Sequence, residues 1–152
     1  MEGLSDWFVK SHPTQVHALS LKLGIYSDVG TKTCQGFPGS YGSYELDAQT
    51  FADWGVDYLK FDTCSLTWDE RRNPAPFYTN MSTALNATGQ PIFYSICNWG
   101  KHSPWLWAPS IANMWRTTMD IYPEYSRIMN IVDKQAGLEV YAHAGASRGG
   151  QG

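Results

Sequence analysis

The stretch LKLGIYSDVGTKTCQGFPGSYGSYELDAQTFADWGVDYLKFDTC, residues 21–64, decides the fold. Its first eight residues form an apolar run closed by Asp28. A glycine-rich turn follows, and ELDAQTFADW (45–54) then carries a helical pattern stopped by Gly55, the residue type that most readily takes the left-handed backbone of a helix end. VDYLKFD (56–62) is a second apolar run and again ends in aspartate. Strand, helix and strand in that order make one βα unit of a parallel sheet.

The same alternation extends outward. PIFYSIC (91–97), MWRTTMD (114–120) and LEVYAHA (138–144) read as further buried strands. PAPFYTNMSTALNAT, stopped by Gly89, reads as a helix between the second and third strands. Another helix begins at Pro123, a residue suited to a first helical turn, with Ile128, Ile131 and Val132 on one face. The fold class is α/β, with about five parallel strands and intervening helices. The pattern alone leaves two arrangements open, a barrel and a doubly wound sheet.

Three of these strands close on a carboxylate: Asp28, Asp62 and Asp120. In either arrangement the carboxyl ends of parallel strands share one rim, and that rim is where such folds carry ligands and chemistry. Singly, each aspartate reads as a cap for a nearby loop. Together they describe an acidic cleft. A doubly wound binding domain in which all three only cap loops is one competing reading.

Composition excludes several classes. With 43% apolar residues the chain can bury a core, and a net charge of −3 with scattered Lys and Arg gives no basic stripe for nucleic acid. No run approaches the roughly 20 apolar residues of a membrane span. His12, His17, His102 and His143 lack zinc-site spacing, and the glycines of CQGFPGSYG do not open a helix after a strand as a nucleotide loop requires. Asn80-Met81-Ser82 and Asn86-Ala87-Thr88 are glycosylation sequons on one expected helix, which favours a secreted chain whose signal sequence lies upstream of Met1. The three cysteines, Cys34, Cys64 and Cys97, leave one thiol unpaired if any bridge forms; three reduced, buried thiols are the alternative.

Read whole, residues 21–64 together with MSTALNATGQPIFYSICNWG and MWRTTMDI resemble the α-galactosidase and α-N-acetylgalactosaminidase family of retaining glycosidases, over roughly residues 21–145. The resemblance implies a (βα)8 TIM barrel, of which 21–145 is a central part. Residues 1–20 then form an N-terminal helix with an atypical insertion, SHPTQVHALS, and 146–152 an atypical tail. The chain is expected to be a portion of that barrel, because the family's paired-aspartate segment and its Asn-Asp-Pro-Asp-Met segment fall outside it. Also implied are secretion or lysosomal delivery, no metal or organic cofactor, an α-galactoside as substrate, and room for a homodimer of full-length members; the alternative is a catalytically impaired truncated relative that acts at most as a weak galactose-binding module.

Residue by residue, the resemblance makes Asp62, in Lys60-Phe61-Asp62-Thr63-Cys64, the nucleophile, and Asp120, after Trp115-Arg116, the acid/base. Tyr26, Lys60, Arg116, Asn98 and Trp99 match positions that line the sugar pocket. Cys34 and Cys64 match a family disulfide, and Asn86 a glycosylated position. Two positions depart from the pattern: Thr63 stands where glycine is usual, and Asn98 where glutamate is. A retaining enzyme needs one carboxylate to attack and a second, about 5 to 5.5 Å away, to protonate the leaving group. Lys60, one strand period before Asp62, is expected on the same side. Arg116 is expected to act on Asp120 only indirectly, since four strand residues span about 13 Å. The bulk of Trp105 favours galactose over N-acetylgalactosamine.

Overall fold

The computed structural model describes residues 13–141, to which every structural statement refers; His12, His143 and the 146–152 tail lie outside them. Four parallel strands, β1 (Gly24–Asp28), β2 (Tyr58–Asp62), β3 (Phe93–Cys97) and β4 (Met114–Trp115), pair in sequence order. Helix α1 covers residues 13–18. Helices α2 (Tyr44–Asp53) and α3 (Ala75–Ala87) form the crossovers, and α4 (Tyr125–Asp133) follows β4.

Local chemistry sets the element ends. Beyond α2, Gly55 takes φ +71°, and the N–H groups of Gly55 and Val56 donate to the carbonyls of Ala52 and Phe51, closing the helix in a Schellman turn. Glu45 and Asp47 complement the positive end of the same helix. The connection that follows is short, so β2 starts almost at once.

Register then decides what each strand shows to each side. Asp28, Asp62 and Cys97 lie in one row, and Tyr26, Lys60 and Ser95 in the row below. Alternate residues point the other way. Leu59, Phe61, Tyr94 and Ile96 therefore meet Tyr44, Ala48 and Phe51 of α2 and Tyr78, Met81 and Leu85 of α3 in one core. Phe61 is its centre, with ring centroids 5.9 to 6.2 Å from those of Tyr44, Tyr78 and Tyr94. Burying such a ring contributes about 2 to 3 kcal/mol. Helices α2 and α3 pack on this same face and on each other. Strands in sequence order with both crossovers on one side form an arc of a barrel, not a doubly wound sheet.

Three expectations need correction. Residues 138–141 do not extend a strand: Glu139–Tyr141 is a 3₁₀ turn, and the rest of the proposed fifth strand lies outside the described residues. The strand expected over 114–120 pairs only at Met114 and Trp115. Beyond them the chain leaves the sheet, and among the described residues β4 pairs only with β3. For that reason Arg116 and Asp120, expected about 13 Å apart along an extended strand, instead form a direct ion pair.

Candidate active site

The row at the carboxyl ends of the strands builds the site. Asp28 is fully buried and works as a brace: Oδ1 accepts from the Gly30 N–H at 2.7 Å and Oδ2 from the Cys64 N–H at 2.7 Å. Burial lifts its carboxyl above the ordinary aspartate range against the pull of those amides and with some push from Asp62. The capping reading is right for this residue. It fixes the loop after β1 against the loop after β2.

Further ties join those two loops. The Cys34–Cys64 disulfide is formed, and the Tyr41 hydroxyl donates to Glu70 at 2.7 Å. Gly30 touches the Ser65 backbone so closely that a Cβ would lie 2.5 Å from its carbonyl. Four groups, Asp28, Cys34, Asp62 and Cys64, converge within 4.8 Å. Two of them are consumed by the disulfide, which leaves the carboxylates as the ionisable members.

Asp62 is 5% exposed. Its Oδ1 accepts from the Thr63 N–H at 2.9 Å and its Oδ2 from the Tyr26 hydroxyl at 3.2 Å. That hydroxyl also lies 3.0 Å from Cys34 Sγ. Burial and the nearby Asp62 charge push the Tyr26 phenol up to about 12, so it stays a hydrogen-bond donor at neutral pH. Lys60 shares this face, with its ammonium 5.7 Å from the centre of the Tyr26 ring.

Asp120 reaches the same rim through two intermediaries. Cys97 sits beside Asp62 in the register and is buried, its thiol raised to about 11 by burial and by the Asp62 charge. Arg116 Nη1 lies 4.0 Å from Cys97 Sγ and pairs with Asp120. Strand periodicity carries the signal for Cys97, which is the pairing partner of Asp62, but an apolar run hides it.

Asn98 and Trp99 are placed differently from each other. Asn98 is 1% exposed; its amide donates to the Lys101 carbonyl, and its side chain lines a cavity of about 30 Å³ with Thr63, Arg71 and Pro74. Its amide thereby holds the loop after β3. Trp99 is half-buried, with the Lys101 ammonium 4.9 Å from its ring. Trp105 belongs to the 3₁₀ turn Pro104–Leu106 just beyond. Asn80 and Asn86 are both exposed on α3.

A one-sided arc of parallel strands with carboxylates along its carboxyl ends defines an α/β barrel segment of the enzyme type. Comparison with known proteins narrows the class: the family model described as alpha galactosidase A matches residues 8–150, and the chain belongs to that family. That match runs through residues 11–20 and most of the tail. The alpha-galactosidase A of Cellvibrio japonicus is 45% identical over 156 residues, covering 95% of this chain and 36% of the relative. Alpha-galactosidase 2 of Arabidopsis thaliana is 46% identical, covering 91% and 34%. The solved α-galactosidase MEL1 of Saccharomyces cerevisiae superposes with a TM-score of 0.85 at 36% identity, over 90% of this chain and 36% of that one; a structure of the yeast enzyme with raffinose gives 0.83. The chain thus spans about a third of the length of the curated relatives it matches.

Proposed function

We propose that this chain carries both catalytic carboxylates of a retaining α-galactosidase that acts on terminal α-linked galactose in oligosaccharides, glycolipids or glycoproteins. The observation that carries the reading is the placement of Asp62: buried at a strand end, held by only two donors, and joined through Cys97 and Arg116 to Asp120 on the same rim.

In the first step an Asp62 oxygen bonds to the anomeric carbon as the glycosidic bond breaks, and Asp120 gives its proton to the departing oxygen. In the second, water attacks that carbon, Asp120 takes the water's proton, and Asp62 is restored. Arg116 pairs with Asp120 in the structure, and delivering the proton to the departing oxygen requires that pair to open. A galactose hydroxyl that engages Arg116 would open it. Tyr26, Lys60 and Trp99 complete the pocket in this reading. Raffinose, bound in a related structure, ends in an α-linked galactose and represents the substrate class. The exposed sequons at Asn80 and Asn86 support glycosylation and hence a secreted or lysosomal setting.

Azide rescue tests the roles separately. With an activated aryl α-galactoside and azide, Asp62→Gly should give β-galactosyl azide by direct displacement. Asp120→Gly should give α-galactosyl azide by capture of the covalent intermediate. Reversed products would exchange the two assignments, and the α-azide from Asp62→Gly would refute a nucleophilic Asp62.

A further inference from the structure

We infer that the loop leaving β3, through Gly100, is a positioning device for Asp120; the inference rests on the acid/base role proposed above. Four of the five residues 99–103 have left-handed backbone: Trp99 at φ 57°, Gly100 at 75°, His102 at 58° and Ser103 at 49°. Bulky residues avoid this region, so so dense a run needs outside support. The support is visible. The Asn98 side chain holds the Lys101 carbonyl, the Lys101 N–H donates to the Asn98 carbonyl at 3.1 Å, and the Trp107 indole N–H donates to the His102 carbonyl at 3.0 Å.

What this closed loop presses on is the segment carrying the acid. A Cβ at Gly100 would fall 2.0 Å from the Thr117 carbonyl oxygen, 2.4 Å from its carbon and 2.9 Å from the Thr118 nitrogen. These are backbone atoms of one peptide unit, which cannot turn aside as a side chain can. That unit lies between Arg116 and Asp120, the partners of the ion pair. Any side chain at position 100 therefore pushes the Thr117–Thr118 peptide and with it Asp120, while Asp62, two strands away from β4, keeps its own supports. Gly89 provides the control: it too has a positive φ, 73°, but a Cβ there meets nothing within 4 Å. Gly89→Ala imposes the same kind of backbone strain without displacing a neighbour.

The test compares aryl α-galactosides with good and poor leaving groups, because only poor ones depend on the proton from Asp120. In Gly100→Ala, kcat/KM for methoxyphenyl galactoside should fall at least about tenfold further than for dinitrophenyl galactoside, a part of the 10²–10⁴ that general acid catalysis supplies. Gly89→Ala should leave that ratio unchanged. Asn98→Ala, which frees the loop without adding bulk, should move the ratio the same way and keeps the test open if Gly100→Ala does not fold. An equal loss on both substrates, or an unchanged ratio in the variants that fold, overturns the inference. Amide NMR of the same proteins supplies a readout independent of activity: the Thr118 and Asp120 resonances should shift in Gly100→Ala and stay in Gly89→Ala. If the unsubstituted protein hydrolyses neither substrate, the functional reading fails while the resonances still decide the positional claim; their failure to shift overturns it.

Discussion

Asp28 and Asp62 end neighbouring strands in the same row, yet their surroundings give them different work. Asp28 is fully buried and both its oxygens accept from backbone amides of the loops after β1 and β2, so it serves the loops. Asp28→Ala should strand both N–H groups and cost at least about 2 kcal/mol, at about 1 to 3 for each buried donor left unpaired. Thermal unfolding checks this; an unchanged melting temperature would show that water replaces the carboxylate at no cost. Strand pattern alone could not separate the two aspartates, because each closes an apolar run in the same way; only the family resemblance singles out Asp62. The separation comes from which amides the following loops bring back, and a loop's path is not written in strand periodicity. Asn98 shows the same limit: its burial and the bond of its amide to the Lys101 carbonyl come from the path of the loop, which local pattern does not encode.

Among the elements, strand ends were legible where glycine or aspartate punctuates them. Gly55 and Gly89 stop α2 and α3 as expected, and β1, β2 and β3 fall inside the apolar runs. β4 was over-extended because its length depends on a neighbour that pairs with it, which local pattern does not encode. The helix over residues 13–18, inside the stretch read as an insertion, is tied to the sheet through His17. His17 lies 2.6 Å and Lys22 2.7 Å from opposite oxygens of Asp57, which also accepts from the Leu23 N–H at 2.9 Å. Although burial opposes it, this set pulls the Asp57 carboxyl down to about 2 from its ordinary 3.8. A lowered carboxylate stabilises the fold above its unfolded value, and that contribution is lost as pH falls through the folded one. Stability should therefore drop between about pH 4 and pH 2, with Asp57→Asn showing a smaller drop over that window in acid unfolding monitored by circular dichroism. Equal slopes in the two proteins would show that Asp57 does not contribute to the acid transition.

At the scale of the whole molecule, one face of the arc is a packed core and the other is the concave side carrying Tyr26, Lys60 and Asp62, with Tyr26 41% exposed. Rim loops stack pairwise along it: the first two are locked by Asp28, the disulfide and Gly30, and the last two meet at Gly100. In the function proposed above, this stacking would position Asp62 and Asp120 for a double displacement. The most direct test is covalent trapping with an activated fluorinated galactosyl inactivator, followed by digestion and mass spectrometry. A single galactosyl ester is expected on the peptide bearing Asp62, absent from Asp62→Asn. A label on another residue, or one that persists in Asp62→Asn, would contradict a nucleophilic Asp62.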